Sequence, residues 1–168
     1  NRELEMISRV SAVMTTNIDM VTALETLARE LVAAFRARNC GIALLNEQRT
    51  DLTVVADALS EEHEEHAVGI VIPLEGNLSS QYVVNNKRSL VIPDAQTDPM
   101  TEPIHESMAQ RHTKCLAIIR LLSGGDVIGT IGLDTTDPEH IFSDEEIRLA
   151  ETMANQMANA IEKQRLFD

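Results

Sequence analysis

Two histidines stand in the run Glu61-Glu62-His63-Glu64-Glu65-His66. On one helical turn that HxxH spacing would bring two imidazoles toward a divalent metal, with glutamate oxygens completing the shell. The run lacks the HExxH order of a zinc protease and lies in a hydrophilic connector, so a solvated acidic turn is the preferred reading and no metal is assigned. Cys40 and Cys115 could supply thiolate chemistry, but neither belongs to a CxxC pair. Both fall in apolar runs, which reads as two small buried hydrophobes in a reducing cytoplasm. No titratable pair has the spacing of a known acid–base site, so no catalytic residue is assigned. The polar side chains left as binding candidates are Tyr82, Asp94, His105, His112, Thr113 and Arg120. Arg120 is the obvious cation within a strand, the kind of group an anionic ligand wants. Asp94 follows Pro93 in a turn, where a carboxylate often accepts from nearby backbone amides, so a structural role competes with a ligand role.

These side chains need elements to hold them. Val21, Leu24, Leu27, Ala28, Leu31, Val32 and Phe35 fall on one face of a predicted helix ending near Arg38 and Asn39. Apolar runs at Cys40–Asn46 and Leu52–Ala58 flank a polar turn and predict a hairpin. A strand at Val68–Pro73, a short helix at about Leu78–Asn86 and a short strand within Ser89–Ala95 follow. Thr101–His112 reads as a loop with one helix. Two more strands, LAIIRLL and VIGTIGLD, are joined by Ser123-Gly124-Gly125-Asp126, whose glycines suit a tight turn. Several strands are apolar almost throughout, so both sheet faces must be covered. The long helices can cover one face and the segment from Gly76 to His112 the other. A sheet roofed in that way commonly leaves a pocket beneath the roof, and the six binding candidates are assigned to it.

The last element carries the clearest local signals. Ser143 and Glu146 form an S-x-x-E capping box, and Phe142 and Ile147 have the spacing of a hydrophobic staple. No Gly or Pro follows to the end of the sequence. The apolar band from Ile147 to Ile161 is wider than packing on one core requires. One edge can pack on the domain and the other on a partner helix. Arg2–Met14 also reads as a helix, with Leu4, Ile7, Ser11 and Met14 at coiled-coil-like spacing.

Composition removes several function classes. The chain has 168 residues, 43% of them hydrophobic, enough for one domain with a real core. Its 14 Lys and Arg against 27 Asp and Glu give a net charge of -13, which opposes binding to nucleic acid or an anionic membrane. With no Trp, one Tyr and three Phe, a base-stacking platform is poorly supported. No apolar run reaches the roughly 18 residues of a membrane span. The expected location is cytoplasmic, and the sequence, which does not begin with Met, is read as a piece of a longer protein.

The order of elements and the wording of three blocks resemble the GAF family of small-molecule sensor modules. The blocks are CGIALLNE, IPLEGNLSSQYVVNNKRSLVIPDAQTDP and VIGTIGLDTTDPEHIFSDEEIRLAETMANQMANAIEKQRLF. The resemblance implies an α+β fold: a central antiparallel sheet with the N- and C-terminal helices packed on one face and a roofed ligand pocket on the other. It implies a single domain over 1–168, with an N-terminal signalling helix at 1–16, a core at 17–142 and an output helix at 143–168. Relatives often have glycine where Asn77, Ser79 and Ser80 stand here, and proline where Arg120 stands. Bilin-binding relatives attach pigment through a cysteine before the penultimate strand. Pro103 and Ile104 fall at the corresponding positions, His105 is one place off and Cys115 comes too late, which argues against covalent bilin. The NKFDE motif of cyclic-nucleotide relatives is absent, Asn85-Asn86-Lys87-Arg88 sharing only composition. The clustered cysteines of methionine sulfoxide reductase relatives are missing too.

The expected function is therefore a regulatory sensor domain of a larger signal-transduction protein, with a histidine kinase or response regulator as host. It would bind a small molecule and relay ligand state through its terminal helices to an output domain on the same polypeptide. Those helices would also make a homodimer. The competing reading is a ligand-free dimerisation and relay module whose pocket has filled. Cyclic-nucleotide binding and a reductase-like enzyme rank below both, and no cofactor is named.

Overall fold

The computed structural model describes residues 3–5, 7, 20–60 and 67–167. Six strands form one sheet in the order β3-β2-β1-β6-β5-β4. They are β1 (Asn39–Leu45), β2 (Asp51–Leu59), β3 (Val71–Pro73), β4 (Leu90–Ile92), β5 (Cys115–Ser123) and β6 (Asp126–Thr135). Every neighbouring pair is antiparallel. The helices are α1 (Met20–Phe35), α2 (Leu78–Asn86), α3 (His105–Gln110) and α4 (Asp144–Phe167), with a 3-10 turn at Pro99–Ile104 before α3. This is the α+β architecture expected from the sequence.

Helices α1 and α4 lie on one face. α1 buries Leu24, Leu27, Ala28, Leu31, Val32 and Phe35 of the predicted stripe, while Val21 at the helix start is exposed. It ends where Arg36 turns left-handed at φ 50 and the Ala37 amide donates to the Val32 carbonyl. α4 begins at the predicted box: the Ser143 amide donates to Glu146 Oε1 at 2.9 Å, and the Glu146 amide donates to Ser143 Oγ at 3.1 Å. Ala150, Met153, Ala154, Met157, Ala158 and Ile161 are then buried against Cys40, Ile42, Ala117, Ile119 and Ile131. Leu149 and Ala160 are only half-buried, whereas Arg148, Thr152, Asn155, Asn159 and Lys163 form the exposed face. Of the predicted first helix, residues 3–5 and 7 are helical and Ile7 packs on this core; the remainder lies outside the described residues.

One irregularity decides which side chains face which way. The β1–β2 register shifts between Ile42 and Ala43, so Ala43 pairs with Val54 and Ile42 with Ala56. The extra residue, Val55, reverses the alternation along β2. Leu52 and Val54 face away from the long helices, Ala56 and Ala58 face them, and Asp57 is turned away from that apolar core. Near the other end of the sheet Gly129 lies opposite Leu44 and Leu121. A Cβ added to Gly129 would collide with the Ala43 carbonyl oxygen, so close strand approach requires glycine there.

The predicted strand at Val68–Pro73 is shorter, because Gly69 adopts φ 91 and forms a turn before Val71. The predicted loop at Thr101–His112 is nearly all helical, split between the 3-10 turn and α3. His63 and His66 lie outside the described residues, and among the described residues no group of His, Cys, Asp and Glu could hold a metal.

Candidate functional site

On the face opposite α1 and α4 the sheet carries small side chains at its centre. Gly41 of β1 lies directly across from Gly132 of β6, and Ala43 follows on the same face. A Cβ at Gly132 would meet only the Gly41 carbonyl oxygen at 3.9 Å, so there is open space above this floor. α2 and α3 close over it. The result is a cavity of about 240 Å³ between the sheet and the segment from Asn77 to Arg111.

The cavity has two ends of different chemistry. Leu52, Val54, Ile72, Met108, Leu116 and Ile118 give it an apolar wall. Asn39, Asp57, Asp134 and Arg111 give it a polar one. Asn39 Nδ2 donates to Asp57 Oδ1 at 2.6 Å, and the Ala67 amide donates to Asp57 Oδ2 at 2.9 Å. Arg111 reaches Asp134 Oδ2 at 3.4 Å. The roof adds Ser79 and Ser80, held in place by Asn77: its Oδ1 accepts from the Ser80 amide at 3.3 Å and from Ser79 Oγ at 3.2 Å. Such a site suits a compact molecule with an apolar body and a hydrogen-bonding head. Its volume is below the roughly 300–1,000 Å³ usual for drug-sized ligands, which favours something smaller.

No thiol among the described residues faces this space. Both cysteines are buried on the long-helix side of the sheet. Burial pushes the Cys40 thiol far up, and the nearby Asp57 and Asp134 add to the effect. Burial likewise pushes up Cys115. Cys40 pairs with Leu133 and Cys115 with Thr135, on opposite sides of β6. Two strand spacings, roughly 9–10 Å, separate β1 from β5, beyond the Cα separation a disulfide bridges.

The six residues singled out from the sequence are dispersed, and none is among the cavity's lining residues. Arg120 sits on β5 past the stretch paired with β4, and its guanidinium lies 3.5 Å from Glu151 of α4. His105 Nε2 is hydrogen-bonded to the Asp98 carbonyl at 2.6 Å and fastens the 3-10 turn. Asp94 accepts from the Gln96 amide at 3.3 Å and pairs with Lys114 at 3.4 Å. Its hydrogen bond with Thr97, together with these contacts, holds its carboxyl below the usual range. Thr113 is fully buried behind α3, where its carbonyl accepts from Gln96 Nε2. His112, left-handed at φ 57, is exposed at a surface cleft, and Tyr82 is half-buried on α2.

The family model for the GAF domain matches residues 19–161. The chain belongs to the GAF family. Members are regulatory sensor modules. Solved GAF domains share this fold at low sequence identity. The phycoerythrobilin-bound GAF domain of a cyanobacterial phytochrome superposes with a TM-score of 0.82 at 14% identity, covering 98% of this chain and 96% of that one. The GAF domain of a phosphoenolpyruvate-protein phosphotransferase (ptsP) from Coxiella burnetii gives 0.83 at 16%, covering 98% and 95%. The GAF domain/HD domain protein from Geobacter sulfurreducens gives 0.76 at 15%, covering 94% and 98%. Among curated protein sequences none matches significantly.

Sequence reasoning did reach part of the GAF cavity. Asn77, Ser79 and Ser80, noted as departures from the family pattern, line its roof, and Ile104, at the position next to a bilin attachment point in relatives, lines its edge. Asn39, Asp57 and Asp134 also line the cavity, outside the candidates the sequence offers. The available signal was a carboxylate within each of two otherwise apolar strands, LTVVADA and VIGTIGLD. A charge placed there needs a polar compartment to face.

Proposed function

We propose that this domain senses a compact, non-covalently bound small molecule in the cavity beneath α2 and α3 and passes its state to α4. The observation that carries the reading is the cavity itself, with a glycine-paired floor and a polar end built from buried Asp57 and Asp134. Its roof also has a direct connection to α4. Three residues after α2 ends, Ser89 Oγ donates to Glu151 Oε2 at 2.8 Å, and the Arg120 amide donates to the same hydroxyl at 3.2 Å. A shift of α2 can therefore pull on α4 around the sheet edge, without crossing the core.

The larger frame is part of the same proposal. Residues 1–16 and 143–168 act as signalling helices around a core at 17–142, in a cytoplasmic protein of the two-component type. They pair with a second copy, for which half-buried Leu149 and Ala160 offer α4's remaining apolar edge. No helix among the described residues is long and apolar enough to cross a membrane. A non-catalytic role fits the thiols, since raised pKa values oppose thiolate nucleophiles. The small volume argues against a bilin, and two carboxylates at the polar end argue against a cyclic phosphate.

Native mass spectrometry of freshly purified protein, beside its denatured mass and absorbance spectrum, tests this reading. The expected result is a dimer carrying a small adduct, with no visible absorbance. A ligand-free dimer that also binds nothing on screening would favour the pure relay module.

A further inference from the structure

A second recess is an open cleft of about 910 Å³ where α1 ends, β6 ends and α3 turns into β5. In a chain with 14 basic and 27 acidic residues, an average recess should be net negative. Among the described residues it is lined by Arg29, Arg36, Arg38, Arg111 and His112, with Asp137 as the single lining carboxylate. Asp134 behind the wall balances part of the charge, lying 3.9 Å from Arg38 and 3.4 Å from Arg111. The Asp137 carboxylate is engaged locally, accepting from the Glu139 amide at 2.9 Å. Arg29 on α1 and Arg36 just past its end both line the cleft, are exposed and form no carboxylate pair among the described residues. Arg29 donates to the Thr26 hydroxyl at 3.4 Å.

Helix dipoles explain a basic residue at one helix end. They do not explain Arg29, which is inside α1, or the convergence of two helix ends on one cleft. Arg36 and His112 are also both left-handed, at φ 50 and φ 57. That conformation strains a non-glycine residue, and glycine would avoid the strain. At both places the chain carries a basic side chain into the cleft instead.

We propose that this cleft is a second ligand site, distinct from the cavity, for a small molecule bearing two or more oxyanion charges. Guanidinium groups match phosphate and carboxylate oxygens equally in geometry. The occupant is therefore a phosphorylated or polycarboxylate metabolite. Arg111 lines both the cleft and the cavity, so an anion here competes with Asp134 for that guanidinium and reports to the cavity's polar end.

Isothermal titration with tripolyphosphate and with citrate tests the site, at low salt on the whole chain. Saturable binding of at least one is expected, weakening as salt rises. The double variant Arg29→Ser, Arg36→Gly should lose at least tenfold in affinity. Glycine suits φ 50, so this variant should keep its melting temperature or gain. The cavity-filling variant Gly132→Val should bind the anion as the parent does, which separates this proposal from cavity sensing. Preference for tripolyphosphate marks a phosphorylated ligand, and equal or better citrate binding a polycarboxylate. Absence of saturable binding by both anions would overturn the proposal, as would undiminished affinity in the folded double variant.

Discussion

Arg120 and Glu151 lie 3.5 Å apart, joining strand β5 to the terminal helix α4. Their side chains are 18% and 26% exposed, so water screens the pair only partly. Ser89 donates to the same carboxylate, which ties the entry of β4 into the contact. Relatives often have proline where Arg120 stands, so this fastening belongs to the particular chain. Glu151→Gln keeps an acceptor for Ser89 but removes the charge facing Arg120. It should cost about 1–2 kcal/mol, between exposed and buried ion pairs. Urea denaturation measures that loss, and amide hydrogen exchange should quicken in α4 around residue 151 before it does in α1.

The strand glycines should separate sharply. Gly129→Ala forces a Cβ onto the Ala43 carbonyl oxygen and should lose about 1–3 kcal/mol. Gly41→Ala and Gly132→Ala meet neighbours at 3.6 and 3.9 Å, ordinary contact distances, and should be close to neutral. Thermal melts of the three variants compare them directly. Equal losses would mean that the floor at Gly41 and Gly132 is not open.

The cavity was only partly legible in the sequence, for reasons that lie in particular residues. Capping at Ser143 and the α1 stripe are local features, fixed by spacing along one helix, and the structure has them where the sequence puts them. The facing of Asp57 depends on the bulge at Val55, which no local signal announces. Strict alternation from Leu52 would have sent Ala56 into the cavity and Asp57 into the apolar core. Arg120 shares its strand face with Leu116 and Ile118, yet β4 ends before reaching it, leaving an open edge around which its guanidinium meets α4. Its destination is set by the length of a neighbouring strand. His105 and Asp94 read as polar groups available to a ligand, but their partners are carbonyl and amide groups of nearby turns.

The thiols predict an alkaline limit. Burial raises the folded pKa of Cys40 above its ordinary value of 9.0, and it raises Cys115 in the same direction. A group with a raised folded pKa contributes fully below the unfolded value and loses that contribution as pH rises. Stability should therefore fall above about pH 9, where unfolded thiols ionise and buried ones do not. Cys40→Ala should flatten that fall. In the native protein at pH 8, a thiol reagent should label Cys40 only at the rate of unfolding. Rapid labelling would contradict its burial.

The capping box gives a further check. Ser143→Ala leaves the Glu146 amide without its side-chain acceptor and should cost about 1 kcal/mol. The loss should show as fraying at the start of α4 in amide exchange, with the β1–β6 ladder unchanged.

The central claim is that the space over Gly41 and Gly132 receives a small molecule. Ligand-observed NMR with a library of small metabolites, run in parallel on the parent chain and on Gly132→Val, tests it most directly. Valine suits a strand and fills the floor. The account predicts at least one compound that binds the parent and loses that binding in the equally stable variant. If every compound binds the two proteins alike, or none binds the parent, the cavity is not a ligand site.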